Sequence, residues 1–135
     1  MEAKRILAVE NNELVLDFLQ TGLATAGYQV DTARNGREAL EMIDGTDYDL
    51  IISDMLMPEL DGAGLCRALL ARQSDAVHRI VLLTGSDDIS DGPAFEALPS
   101  VPTFAKPVGL EELRRLIERM TDAPMADAAV PGNAR

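Results

Sequence analysis

Four polar side chains follow apolar runs of the chain, each close to the point where a buried strand would end. They are Glu10, Asp54, Thr84 and Lys106. Carboxylates placed together can hold a hard divalent cation such as Mg²⁺, whereas a lysine and a hydroxyl can bind the oxygen atoms of a phosphoryl group. An aspartate in such surroundings can act as the nucleophile that becomes an aspartyl phosphate. These residue types indicate phosphoryl chemistry with a bound cation, provided that the fold brings them together.

Short apolar runs predict the strands that position these residues. Nearly continuous apolar runs are typical of strands covered on both faces of a parallel sheet, whereas alternation is typical of a strand nearer the sheet edge. Four continuous runs occupy residues 6–9, 49–52, 80–83 and 101–105, and one alternating run occupies residues 28–33. The sequence therefore predicts five strands.

Segments with apolar residues at a spacing of three and four, the period of an α-helix, separate these strands. The first helix closes at Gly27, and Asn35 with Glu38 forms a capping pair for the second. Further periods cover residues 65–72 and 110–120. Strands and helices that alternate through right-handed crossovers predict a doubly wound (βα)5 sandwich with a five-stranded parallel sheet, flavodoxin-like, whose ligand site lies at the carboxyl ends of the strands. The apolar stripe predicted for the first helix consists of Leu14, Val15, Phe18, Leu19, Gly22, Leu23 and Ala26.

The length of 135 residues predicts one domain with a sizeable core. Residues 121–135 are mostly small, include two prolines and show no apolar period. We therefore expect a domain over residues 1–120 and a disordered tail or linker remnant over residues 121–135.

Charge and cysteine content exclude several classes of function. The formal net charge of −11 disfavours binding to nucleic acid or to an anionic membrane surface, so protein partners or cations are expected instead. Cys66 is the only cysteine, which excludes an intrachain disulfide and a thiolate metal cluster and fits a reducing cytoplasm. The first twelve residues have too few apolar side chains for a signal peptide or a membrane span. A cytoplasmic protein is predicted.

Four motifs carry a family resemblance over residues 4–120. They are GluAsnAsn at 10–12, SerAspMetLeuMetProGluLeuAspGly at 53–62, LeuThrGly at 83–85 and PheAlaLysPro at 104–107. In this order and spacing the chain resembles the response regulator receiver domains of two-component signalling. The motif at 53–62 is the most specific of the four, because an aspartate followed by MetProXaaXaaAspGly at this spacing is hard to produce by chance.

The resemblance implies a role for each matching residue. Asp54 would be the phosphoacceptor, Lys106 the salt-bridging contact to the phosphate, and Thr84 the hydroxyl that moves toward the phosphoryl group. Phe104 occupies the place of the aromatic switch residue. The resemblance also implies a cis Lys106–Pro107 peptide bond. Residues 86–100, where the family has a helix, have propensity only for a short helix that begins near Pro93.

The metal site implied by the resemblance departs from the family at one position. Asp54 and the backbone carbonyl of Leu56 would be ligands of Mg²⁺, and Glu10 would hold metal-bound water. At the position of Asn11 the family normally has an aspartate that ligates the metal directly. An amide oxygen coordinates as a dipole rather than as a charge, so Mg²⁺ is expected to bind more weakly than is usual for the family.

Two functions remain open on the sequence alone. The first is a phosphoacceptor receiver, a signalling protein rather than an enzyme, which takes a phosphoryl group from a histidine kinase or a histidine phosphotransfer protein and then changes its affinity for a partner. The second is a pseudo-receiver that binds partners without phosphorylation because Asn11 disables the metal site. The chain is either a single-domain regulator or a piece of a hybrid kinase or longer regulator.

Two other classes with related folds lack a required residue. An aspartate-nucleophile phosphohydrolase would need a second aspartate two residues after the nucleophile, where Leu56 stands. A flavin-binding protein would need a loop rich in Ser, Thr and Gly after the first strand, where GluAsnAsnGlu stands and would repel phosphate.

Overall fold

The computed structural model describes residues 4–55, 59–84, 101–105 and 109–129, with the backbone alone at Ala105 and at residues 122–129. Strands and helices alternate through these ranges. The strands are β1 (Arg5–Val9), β2 (Gln29–Ala33), β3 (Leu50–Asp54), β4 (Ile80–Thr84) and β5 (Thr103–Ala105). The helices are α1 (Glu13–Thr25), α2 (Gly36–Gly45), α3 (Gly62–Ala71) and α4 (Leu110–Ala129), and a 3₁₀ helix (Asp75–Arg79) precedes β4.

The five strands form one parallel sheet in the order β2-β1-β3-β4-β5. This confirms the predicted five-stranded fold and the predicted place of β2 at an edge. Every residue of the central strand β3 is buried, as its continuous apolar run predicted. The strand order reverses between β1 and β3, and in open parallel sheets a ligand crevice forms at such a point, outside the carboxyl ends of the strands.

Two separate clusters of side chains cover the two faces of the sheet. The α2/α3 core contains Ile51 of β3 together with buried residues of α2 and α3, and the α1/α4 core contains Leu50 and Ile52 together with buried residues of α1 and α4. Cys66 is fully buried in the α2/α3 core, where it is a packing residue, and burial raises the pKa of its thiol to about 11.

The inward face of α1 differs from its predicted stripe. Leu16, Leu19 and Leu23 are buried, whereas Leu14 is 79% exposed and Phe18 is 47% exposed. The prediction of an inward Leu14 and Phe18 was wrong because α1 packs against both the sheet and α4, and that contact turns a face about half a turn away from Leu14 inward.

The last helix is longer than predicted. It begins at Leu110 and continues to Ala129, so residues 121–129 are helical where a tail was expected. The segment contains four alanines at 123, 126, 128 and 129, and alanine is the residue with the highest helix propensity. It also contains Pro124, which has no N–H to donate within the helix, so propensity explains only part of this continuation. The absence of an apolar period in a segment therefore does not exclude a helix.

Two other predictions lie outside the described residues. These are the cis Lys106–Pro107 bond and the short helix within residues 86–100. In the ranges that the structure does describe, no helix combines the length and the apolar composition that a membrane crossing requires.

Tyr48 gives a testable pH dependence of stability. Its hydroxyl is buried and donates a hydrogen bond of 2.7 Å to Oδ2 of Asp31. Burial, followed by this hydrogen bond to Asp31, raises the pKa of Tyr48 to about 12. Because the folded protein holds this proton more tightly than the unfolded chain, its stabilising effect is complete below about pH 10 and is lost as pH rises toward about 12.

We therefore expect the free energy of unfolding of the wild type to fall between about pH 10 and pH 12, and to fall less steeply in Tyr48→Phe. At neutral pH the variant should be less stable by about 1–2 kcal/mol, since it lacks a hydrogen bond to a carboxylate. Urea unfolding at several pH values measures both effects. Identical pH slopes for the two proteins would contradict the role of Tyr48.

Candidate functional site

The parallel register brings three of the predicted site residues together at the carboxyl ends of neighbouring strands, which form one end of the sheet. Val9 pairs with Ser53, and Asp54 pairs with Leu83. Glu10, Asp54 and Thr84 therefore stand at the carboxyl ends of β1, β3 and β4, which are neighbouring strands roughly 4.8 Å apart. Lys106 and Leu56 lie outside the described residues, so their predicted roles stay predictions.

Buried polar side chains concentrate at this end of the sheet. In the described part of the chain, the buried polar or charged residues are Glu10, 2% exposed, Ser53, fully buried, and Asp54, 5% exposed. Oε1 of Glu10 and Oδ1 of Asp54 are buried atoms that accept no hydrogen bond among the described residues, although both side chains make other polar interactions. Two carboxylates buried on adjacent strands favour a positively charged ligand or side chain between them.

The GluAsnAsn segment has a separate structural role for each residue. The backbone N–H of Asn12 donates to Oε2 of Glu10 at 3.0 Å, which orients the buried carboxylate. Oδ1 of Asn12 accepts hydrogen bonds from the N–H groups of Leu14 and Val15, so Asn12 is the N-cap of α1. Asn11 is exposed between them. This capping role was not predicted, although an asparagine just before a helical apolar period is the usual signal of an N-cap.

The backbone after Asp54 turns back toward β3 within eight residues. Met55 N–H donates to the carbonyl oxygen of Leu83 at 2.9 Å, and Gly62 N–H donates to the carbonyl oxygen of Met55 at 2.8 Å. Oδ1 of Asp61 accepts from the N–H of Gly64 at 2.8 Å and caps α3. Asp61 and Gly62, the last two residues of the motif at 53–62, therefore fix the end of the loop beside the site. The spacing of the motif residues did not predict this role.

The donor groups at this end of the sheet fit a Mg²⁺ ion with few protein ligands. Both buried side chains are carboxylates, which are hard oxygen donors, and Mg²⁺ sites in proteins commonly use one or two carboxylates together with waters and phosphate oxygens. The described residues contain no group of three His, Cys, Asp or Glu side chains suited to a metal ion. The predicted role of Asn11 as a weaker metal ligand stays a prediction.

Of the two predicted switch residues, Thr84 lies on β4, the strand next to β3, and Phe104 lies on β5, the edge strand beyond β4. Thr84 ends β4 and is half-buried, and Phe104 on β5 pairs with Leu83. Phe104 packs against the α1/α4 core. It also lines a groove of about 170 Å³ together with side chains of α4, namely Glu112, Arg115, Leu116 and Arg119.

The family model that matches the chain describes a response regulator receiver domain and covers residues 6–118. Response regulator MprA of Mycolicibacterium vanbaalenii is 36% identical over 121 residues, which are 87% of this chain and 52% of that protein. The chain thus spans about half the length of this relative, and the same holds for MprA of Mycobacterium leprae, which is 35% identical over 93% of this chain and 54% of that protein.

Solved receiver domains share the fold over most of their length. The receiver domain of a signal transduction histidine kinase from Syntrophus aciditrophicus has a TM-score of 0.75 and 33% identity, covering 90% of this chain and 92% of that one. The receiver domain of the sensor histidine kinase PA1611 from Pseudomonas aeruginosa has a TM-score of 0.72 and 25% identity, covering 88% and 98% of the two chains, and its structure has a magnesium ion in the active site cleft. Family match, relatives and fold agree, and the chain belongs to the response regulator receiver domains.

Proposed function

We propose that this receiver accepts a phosphoryl group on Asp54 from the phosphohistidine of a histidine kinase or a histidine phosphotransfer protein, and that phosphorylation changes its affinity for a protein partner. The observation that carries the proposal is the burial of Glu10 and Asp54 side by side at the carboxyl ends of β1 and β3. Receiver domains as a family are phosphorylated by histidine kinases, which supports the choice of donor.

The proposed step is an in-line transfer at Asp54. A carboxylate oxygen of Asp54 attacks phosphorus, the O–P bond forms as the N–P bond to the donor histidine breaks, and the imidazole leaves with the electron pair and takes a proton from solvent. β3 holds the nucleophile rigidly, since all five of its residues are buried. A bound Mg²⁺ ion supplies charge neutralisation for the phosphoryl oxygens.

The roles proposed for the surrounding residues follow from the family motifs that these residues match. Asp54, the carbonyl of Leu56 and the amide of Asn11 would hold the metal, with Glu10 acting through metal-bound water. Lys106 would pair with the phosphoryl oxygens in the transfer. After transfer, the hydroxyl of Thr84 would turn toward the phosphoryl group and Phe104 would follow it, which changes the surface near β5 and α4.

Intact-mass measurement after incubation with a small phosphodonor tests the proposal. A mass increase of a single phosphoryl group that depends on Mg²⁺ supports it. An unchanged mass at every Mg²⁺ concentration refutes it and favours the second candidate, a pseudo-receiver that binds partners without phosphorylation. The feature that favours this second candidate is the amide of Asn11, at a position where the family normally has an aspartate.

The exposed apolar residues of α1 predict where the phosphohistidine donor binds. Leu14 and Phe18 lie in the first two turns of the helix that begins three residues after Glu10, so they flank the site that the donor must reach. Replacing both by serine should slow transfer from a phosphohistidine protein by about tenfold or more, because burial of large apolar side chains dominates many interfaces. Phosphorylation by a small phosphodonor should keep its wild-type rate.

Leu70 provides the matched control for this prediction. It is also large, apolar and 40% exposed. It lies near the carboxyl end of α3, however, and therefore near the amino-terminal ends of the strands, whereas Asp54 stands at a carboxyl end. Leu70→Ser should leave both rates unchanged. Equal losses with the protein donor and the small donor, or an equal loss in Leu70→Ser, would show that α1 is not the docking surface.

A further inference from the structure

The first turn of α2 contacts the loop before α3, of which residues 59–61 are described. Gly36 N–H donates to the carbonyl oxygen of Leu60 at 2.9 Å, and Nε of Arg37 lies 3.4 Å from Oε1 of Glu59. Gly36 is buried, and a β-carbon at this position would overlap the carbonyl oxygen of Leu60 and lie 3.0 Å from its Cβ and Cγ atoms. The close approach of the two backbones therefore requires glycine at position 36.

The loop at this contact has an unfavourable backbone conformation. Glu59 has a φ of +69°, in the left-handed region that residues other than glycine seldom adopt. Such conformations persist where surrounding contacts hold them, and they often occur beside functional sites. The backbone contact of Gly36 falls on Leu60, the residue after Glu59, so α2 packs against the strained part of the loop, whereas the ion pair of Arg37 with Glu59 is exposed and contributes little.

The same loop reaches the backbone of Asp54 two residues later. Gly62 N–H donates to the carbonyl oxygen of Met55 at 2.8 Å, and a β-carbon at Gly62 would lie only 2.6 Å from the carbonyl oxygen of Asp54. Leu60 and Asp61 are partly buried, and Asp61 joins Leu60 to Gly62, which is buried and packs tightly against the backbone of Asp54. A shift of Leu60 therefore displaces Gly62, where no space is left to absorb it.

We infer that Gly36 is a positioning residue for phosphoryl transfer: by its close backbone contact with Leu60 it fixes the loop that holds the backbone of Asp54 in place. This inference rests on the proposed function. Gly36 touches neither the phosphoryl group nor the metal, and its effect passes through the backbone of residues 60–62. Transfer reactions are sensitive to displacements of about 1 Å, so a small shift of this loop is enough to slow the reaction.

Gly36→Ala and Gly45→Ala form a matched pair of variants in one helix. A β-carbon at Gly45 meets no atom within 4 Å, whereas at Gly36 it overlaps Leu60. With a small phosphodonor and Mg²⁺, Gly36→Ala should be phosphorylated about 10- to 100-fold more slowly than the wild type, and Gly45→Ala at the wild-type rate. Backbone amide NMR shifts of Met55 and Gly62 should change in Gly36→Ala alone, with a cooperative thermal unfolding transition confirming that both variants are folded.

The outcomes separate this inference from the proposed function. A wild type that takes up no phosphoryl group would refute the proposed function itself. A wild type and a Gly36→Ala variant that are phosphorylated at equal rates, or unchanged shifts at Met55 and Gly62, would refute only the role of Gly36.

If Gly36→Ala does not fold, a measurement on the wild type tests the positioning role of Gly36. Coupling between two sites is reciprocal, so Mg²⁺ bound beside Asp54 should shift the backbone amide resonance of Gly36 and leave that of Gly45 in place. Equal shifts at the two glycines, or none at either, would overturn the inference.

Discussion

Asp54→Asn should abolish phosphoryl incorporation at every Mg²⁺ concentration. The substitution keeps the size and shape of the side chain but replaces the nucleophilic carboxylate oxygen by an amide, which does not form a stable acyl phosphate. Asp54 is the aspartate that the described structure buries at the end of a central strand, beside Glu10. Intact mass and peptide mapping after exposure to a small phosphodonor measure the effect.

Asp61→Asn provides the control for this result. Asp61 is the other aspartate of the same motif, and its Oδ1 caps α3. Asparagine is as good an N-cap as aspartate, so the variant should fold and should be labelled at Asp54 as the wild type is. Labelling that survives Asp54→Asn, or a phosphopeptide that maps outside β3, would show that the acceptor is another residue.

Asn11→Asp should tighten Mg²⁺ binding by about tenfold or more, equivalent to about 1.4 kcal/mol or above. The substitution adds a negative charge at the end of β1, next to the two buried carboxylates, and a unit charge about 4 Å from a cation contributes on the order of a few kcal/mol at a surface-like dielectric. A Mg²⁺ titration of both proteins gives the affinities. At limiting Mg²⁺ the variant should also be phosphorylated faster.

Asn12→Asp makes the same chemical change at the next residue. Asn12 uses Oδ1 to cap α1, and aspartate caps a helix equally well, so this variant adds a charge near the site without a new metal ligand. Its effect on Mg²⁺ affinity should be clearly smaller than that of Asn11→Asp. Equal effects of the two variants would indicate general electrostatic attraction rather than coordination at position 11, and no effect of either would remove Asn11 from the metal site.

The fold was predictable because strand periodicity records burial on both faces. Continuous apolar runs predicted the inner strands β1, β3 and β4, and the alternation at residues 28–33 predicted β2 at an edge, as observed. The run at 101–105 also predicted a strand, but β5 is the other edge strand and Pro102 and Thr103 are exposed, so the prediction that this segment is covered on both faces was wrong. The convergence of Glu10, Asp54 and Thr84 was predictable as well, since the carboxyl ends of parallel strands lie at one end of the sheet. Their chemical roles, and that of Lys106, remain predictions for the phosphorylation experiments.

Features that depend on contacts between distant segments were not predictable. The inward face of α1 is set by its packing against both α4 and the sheet, so helical spacing alone assigned Leu14 and Phe18 to the wrong side. The contact of Gly36 with Leu60 joins segments that are far apart in sequence, and no local pattern distinguishes Gly36 from Gly45. The capping of α1 by Asn12, in contrast, was predictable from the sequence, because an asparagine just before a helical apolar period is the usual signal of an N-cap.

The division of the interior into two cores affects how this sequence can change over evolutionary time. Adjacent residues of β3 point to opposite faces, so Ile51 and Ile52 contribute to different cores. Substitutions that are far apart and share no packing partners have nearly additive effects on stability. Changes in the α1/α4 core, beneath the surfaces proposed here to meet partners, can therefore accumulate without disturbing the α2/α3 core beneath the loop beside Asp54, and new partner specificity can arise without loss of the chemistry.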